Sequence, residues 1–157
     1  MNAMTPCPWK PADLLPHAGD MILIDDVLWF DDEQIRTRLH VRHGGLFNRA
    51  DGSLPAWVGV ELMAQSVAAF AGCQARRKGE PVKLGFLLGT RKYACNVEYF
   101  PVGCELHIHA RRSLEDDSGM GVFECELTGP DIHLSARLSV YCPPQSANYL
   151  AEGAVNV

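Results

Sequence analysis

Glu61 lies in the run Pro55-Ala-Trp-Val-Gly-Val-Glu61-Leu-Met-Ala-Gln65-Ser-Val-Ala-Ala-Phe70-Ala-Gly-Cys73, where nearly every other side chain is apolar. An unpaired carboxylate loses hydration in such surroundings, so Glu61 must be paired, protonated or kept for chemistry. Burial disfavours the charged form, which would leave Glu61 a proton to donate. An ion pair with an arginine such as Arg91 is the plain structural alternative. Gln65 stands one helical turn on, on the same face, where it can hold Glu61 by a hydrogen bond or bind a water. The partner for a carboxyl acid is a base, and six histidines are available. His40, His107, His109 and His133 alternate with apolar neighbours, as solvated strand positions do. His107-Ile-His109 has half the spacing of a metal site, but no third ligand accompanies it. His17 and His43 lie in turn segments, and they are the two candidates for a base.

These groups need elements to position them. Pro55 suits a first helical turn, and the spacing predicts one long apolar helix from there to about Lys78, stopping before Gly79 and Pro81. Arg76-Arg77-Lys78 then complements the helix C-terminus. Asp13 to His17 reads as a helical turn or a turn, and Met21 to Phe30 as a strand. Gln34 to Arg42 alternates strictly, with Ile35, Thr37, Leu39 and Val41 on one face. Val82 to Leu88 and Lys92 to Glu98 read as strands. Cys104 to Ser113, Gly121 to Thr128 and Ile132 to Tyr141 follow with period 2, joined by Gly- and Asp-rich turns. The order is two strands, one helix that cannot be solvated all round, then antiparallel strands. An α+β architecture follows, a curved antiparallel sheet enclosing one buried helix: the hotdog fold.

With 157 residues, a single domain over 1–157 is expected, its core at about 13–142 and a loose tail at 143–157. A net charge of −5 argues against nucleic-acid binding. The cysteines at 7, 73, 95, 104, 125 and 142 show no CxxC pair, which favours free thiols in a reducing, cytoplasmic setting. Cys73 and Cys125 sit among apolar neighbours, as small core residues do. The N-terminus lacks the pattern of a secretory signal, and Glu61, Gln65 and Ser66 argue against a membrane span.

The segment Leu15-Pro-His17-Ala-Gly-Asp-Met21 resembles the opening of the bacterial 3-hydroxyacyl-ACP dehydratases of fatty acid synthesis. Pro55-Ala-Trp-Val-Gly59-Val-Glu61-Leu-Met-Ala-Gln65 is similar to their helix motif, which ends in acid-x-x-x-Gln. Phe86-Leu-Leu-Gly89-Thr-Arg91-Lys-Tyr, followed by Phe100-Pro-Val-Gly103, is similar to the strand and turn that come next. The match is closer to the hotdog dehydratases of aryl-polyene pigment clusters. One feature departs from the fatty-acid type: the loop before the helix carries Phe47 where those enzymes place a catalytic histidine.

The resemblance implies dehydration of a 3-hydroxyacyl thioester on acyl carrier protein to the 2-enoyl thioester, in fatty acid or polyketide (aryl polyene-like) biosynthesis. Glu61 would be the acid and His17, from the matched Leu-Pro-His, the base; His43 or a partner chain are the alternatives for the base. The N–H groups of Ala56, Trp57 and Val58 would hold the thioester oxygen at the helix N-terminus. Phe86 and Gly89 belong to the matched strand motif, and the acyl chain would lie between Trp57, Met63, Phe86 or Phe47. Arg91 and Lys92 would meet the phosphopantetheine or the carrier protein. No cofactor or metal is needed. Dimerisation is expected, as a homodimer or as a heterodimer with a sister hotdog dehydratase. An acyl thioesterase, or a non-catalytic subunit that stabilises a partner chain, are the competing readings.

Overall fold

A computed structural model describes residues 4–17, 19–83 and 85–143. The residues expected to form a C-terminal tail lie, apart from Pro143, outside the described ones. Strands β1 (Thr5–Pro6), β2 (Asp26–Phe30), β3 (Gln34–His40), β7 (Glu105–Glu115), β8 (Met120–Gly129), β9 (Ile132–Tyr141) and β5 (Phe86–Cys95) form an antiparallel sheet in the order β1-β2-β3-β7-β8-β9-β5. A short pair, β4 (Leu54–Pro55) with β6 (Tyr99–Phe100), stands apart. One turn of helix, α1 (Pro11–Leu14), precedes β2, and the central helix α2 spans Val58–Arg77.

Period-2 alternation builds the sheet. Ile35, Thr37 and Leu39 of β3 are buried, as are Leu106, Ile108 and Ala110 of β7 and Leu134, Ala136 and Leu138 of β9. All of these but Thr37 form one apolar core with Leu62, Met63, Phe70 and Cys73 of α2. The buried hydroxyls of Thr37 and Ser66 bond each other at 2.7 Å, and Ser66 also donates to the Leu62 carbonyl. No polar atom is stranded at this helix–sheet contact.

Three boundaries differ from those the sequence suggests. The helix starts at Val58 rather than Pro55, because residues 54–56 are tied elsewhere: Leu54 pairs with Phe100, and the Ala56 N–H donates to the Glu98 carbonyl at 3.0 Å. Its end is where Gly79 permits it. That residue takes φ +70°, so its N–H reaches the Arg76 carbonyl and the Glu80 N–H reaches Ala75. The stretch expected as two strands across 82–98 instead contains one among the described residues, β5, which stays paired with β9 across irregularities between Leu87 and Gly89 and between Arg91 and Ala94. Residues 22–25, expected in strand, precede β2 as an irregular segment.

The sheet curls around α2 but does not close on it. Ala64, Ala68 and Ala71 line an open groove of about 830 Å³, which the expectation of a fully enclosed helix did not foresee.

Candidate active site

Two attachments to α2 bracket the segment that carries His17. Upstream, Pro11 starts α1, and Leu15 turns extended because Pro16 follows it. Leu14 and Leu15 are buried, and α1 lies so close to α2 that a Cβ on Gly72 would strike the Leu14 carbonyl. Arg76 donates twice to the Asp13 carbonyl, at 3.1 and 2.8 Å. Downstream, Gln65 binds the chain by its backbone. Its Oε1 accepts from the Leu23 N–H at 2.9 Å, and its Nε2 donates to the Met21 carbonyl at 2.6 Å. This buried amide also donates to Glu61 Oε1 at 3.2 Å, so one side chain orients both the carboxylate and the strap opposite it.

Between those attachments, His17 Nε2 lies 3.8 Å from Glu61 Oε1. That is an ion-pair distance and slightly too long for a hydrogen bond. The two side chains are 27% and 36% exposed, so Glu61 is not the deeply buried carboxylate that its apolar neighbours in sequence suggest. The physical reason is the open face of α2: Glu61 shares it with Ala64, Ala68 and Ala71, and all of them line the groove. His17 Nδ1 is buried and finds no hydrogen-bond partner among the described residues.

The groove runs from His17 and Glu61 along α2 toward Phe70, Phe123 and Tyr141. Phe86 lines it, as the sequence proposes for an acyl-chain contact. Met63 does not: it is fully buried in the core between helix and sheet. Phe47 and His43 line a separate cavity of about 380 Å³, and the Phe47 ring meets Trp57 edge-on at 5.9 Å. His43 is therefore not brought to Glu61 within this chain. Gly89 and Arg91 lie on the exposed β5, Arg91 opposite Arg137 of β9, and neither lines the groove. The alternative of a Glu61–Arg91 ion pair is not realised; the partners of Glu61 are His17 and Gln65.

At the start of α2, the Ala56 N–H is already used by Glu98, which removes it from the proposed oxyanion set. Gly59 and Val60 donate back to Ala56 and Trp57. Trp57 and Val58 keep N–H groups with no acceptor among the described residues, at the positive end of the helix dipole. The remaining histidines stay on the outer face of the sheet. His40 and His107 flank Glu105 at 2.9 and 2.8 Å, and His109 meets Gln34 at 2.8 Å. The sequence did not single out the alanine floor of the groove; its signal was the small residue recurring every three to four positions after Glu61.

A curved antiparallel sheet around one helix defines a hotdog-fold protein, and here an imidazole and a carboxylate meet on the open face of that helix. A family model described as ApeP dehydratase matches residues 9–151, and the chain belongs to this ApeP-like dehydratase family. Among solved structures it is similar to the dehydratase heterocomplex ApeI:P from Xenorhabdus doucetiae, at 29% identity over 92% of this chain and 99% of that one, with a TM-score of 0.82. A hypothetical thioesterase with coenzyme A from Streptococcus pneumoniae (11% identity, 74% and 86% covered, TM-score 0.57) shares the fold. So does an uncharacterized protein from Pyrococcus horikoshii (12% identity, 86% and 95% covered, TM-score 0.60). No curated protein matches the chain. No helix among the described residues is long and apolar enough to cross a membrane.

Proposed function

We propose that this protein dehydrates a 3-hydroxyacyl thioester, carried on acyl carrier protein, to the 2-enoyl thioester during fatty acid or polyketide chain building of the aryl-polyene kind. The observation that carries the reading is the 3.8 Å approach of His17 Nε2 to Glu61 Oε1 at the groove, in a chain of a dehydratase family. His17 Nε2 takes the C2 proton. Glu61, protonated, gives its proton to the departing C3 hydroxyl, which leaves as water as the C2–C3 double bond forms. Charge developing on the thioester oxygen is met by the N–H groups of Trp57 and Val58. The acyl chain lies in the groove over Ala64 and Ala68, and the elimination calls on no cofactor. Each acid–base partner contributes about 10²–10⁴-fold in such reactions.

A sister hotdog chain completes the site in this reading. His17 accepts a proton at Nε2 only as the tautomer protonated at Nδ1, and Nδ1 has no acceptor among the described residues. Strand β5 ends the sheet order and carries the exposed Leu87, Leu88 and Tyr93 along it. Pairing a second sheet there satisfies the edge, covers these side chains and withdraws Glu61 from water. The similarity to the ApeI:P heterocomplex supports a heteromeric partner.

The test is product analysis. The chain, alone and with a co-expressed sister hotdog chain, is given 3-hydroxyacyl-ACP and followed by mass spectrometry. Enoyl-ACP is expected, lost in Glu61→Gln and His17→Ala. Free acid in its place makes the protein a thioesterase. A complex whose turnover survives both substitutions makes this chain a stabilising subunit.

A further inference from the structure

The groove over α2 has two unlike ends. At one, His17 faces Glu61. From there Ala64, Ala68, Ala71 and Ala75 continue the floor at spacings of three and four residues, which keeps them on one helix face. Gly121, Phe123 and Val140, from the paired strands β8 and β9, line the sheet side. This middle stretch is apolar. At the other end the lining becomes charged. Arg77 of α2 pairs with Asp32 of the β2–β3 turn, Arg112 of β7 pairs with Glu115 at 2.7 Å, and all four line the groove.

Arg112 marks the change from apolar to charged. Its guanidinium lies 5.3 Å from the centre of the Phe70 ring, and that ring meets Phe123 edge-on at 5.6 Å. The side chain is fixed rather than free to swing aside. Nη1 pairs with Glu115, Nη2 donates to the Asp32 carbonyl at 3.0 Å, and the Arg112 N–H donates to the Glu33 carbonyl at 2.8 Å. A hydrocarbon chain pushed into this cluster would take water from its ion pairs and return no hydrogen bond. A chain that ends at the Phe70 and Phe123 rings buries its last carbons against apolar atoms instead.

Resting on the reading of this groove as the acyl-chain site, we propose that Arg112, held over Phe70, is its length stop and sets the longest acyl chain the protein accepts. The length follows from helix geometry. Phe70 is nine residues beyond Glu61, about 13 Å along the axis. Both side chains lean toward the helix N-terminus, so the separation is kept at the groove surface. An extended chain advances roughly 1.2 Å per bond, so about eleven bonds fit between a C3 carbon at Glu61 and the rings. The stop falls at about C12–C14, counted from the thioester carbon.

The experiment uses a series of saturated acyl-pantetheine amides, from well below that length to well above it. Nitrogen replaces the thioester sulfur, so neither elimination nor hydrolysis consumes the probe. Calorimetry on the whole purified chain should show affinity rising roughly two- to fourfold per methylene up to the stop, then levelling or falling. Arg112→Met keeps an apolar stem over Phe70 and removes the charge. It moves the break to longer chains, and those just beyond the stop gain roughly tenfold in affinity. Ala68→Phe moves the break to shorter ones. Affinity that climbs without a break, or a break that Arg112→Met leaves in place, overturns the proposal. Should Arg112→Met fail to fold, Arg112→Gln, which retains a donor for the Asp32 carbonyl, takes its place with the same expected shift. The amides report the stop independently of turnover. A break in affinity without enoyl product sinks the dehydratase reading alone, and enoyl product without a break sinks the stop alone.

Discussion

Helix α2 meets two different surroundings around its circumference. Where α2 is buried, its polar side chains Ser66 and Gln65 are answered from within the chain: Ser66 by Thr37 of the sheet and the Leu62 carbonyl, and Gln65 by Met21 and Leu23 of the strap and by Glu61. On the groove side, Glu61 is a third exposed, His17 Nδ1 has no partner among the described residues, and alanines leave space where larger residues would fill it. A satisfied face costs stability when changed. A face with spare hydrogen-bonding capacity and empty volume costs little stability, and is where a substrate or second chain makes its contacts.

That contrast can be broken at both faces. The largest effect is expected at Glu61. Replacing it by Gln keeps the shape and the link to Gln65 but removes the acid, so turnover of 3-hydroxyacyl-ACP falls by about 10²–10⁴-fold. Urea unfolding of the same variant stays within about 0.5 kcal/mol of the parent. A Glu61→Gln variant that is badly destabilised would show this face to be structural. Next comes Gln65→Leu on the closed face. It strands the Leu23 N–H and the Met21 carbonyl, at about 1–3 kcal/mol each, and urea unfolding should show a total loss of roughly 2–6 kcal/mol. Turnover falls as well, since the strap carrying His17 loosens; unchanged stability would erase the distinction between the faces.

Ala68→Phe is expected to have a smaller effect. The ring projects into the groove rather than into the core, so stability holds. Long-chain substrates lose roughly tenfold or more in kcat/KM while short ones keep theirs. An equal loss for both lengths would place the chain elsewhere.

The smallest effect concerns pH and a residue far from either face. Burial, aided by Arg36, lowers the His109 value below its ordinary 6.5. Its value in the folded chain is then below that in the unfolded chain. As the pH falls below about 6.5, the unfolded chain takes up the proton first, and the stability present above that pH is lost through the lower folded value. His109→Gln should flatten the unfolding midpoint between pH 7 and 5 by removing this contribution; an unaltered slope assigns the dependence to other groups.

The strands of the outer sheet were legible because alternation is local. Each residue of β3, β8 and β9 shows its face through its immediate neighbours, and the observed registers follow. Glu61, His17 and the motif order were legible for the same reason, as short patterns. The helix start was not, since Pro55 obeys a local preference for a first turn while Tyr99 pairs with it in a bridge and Phe100 and Glu98 hold its neighbours Leu54 and Ala56. The continuity of β5 was likewise hidden, because its bulges interrupt the period that marks a strand.

The sequence by itself determined the element order, the inward faces of the strands and the presence of a carboxyl in an apolar helix, because each depends on chemistry repeated over a few adjacent residues. Tertiary structure alone decided that Glu61 lies open beside His17, and that Met63 is core while Ala68 is groove. Those outcomes depend on which surfaces the curled sheet covers and which it leaves uncovered. Such coverage is a property of contacts between distant segments, and no window of neighbouring residues contains it.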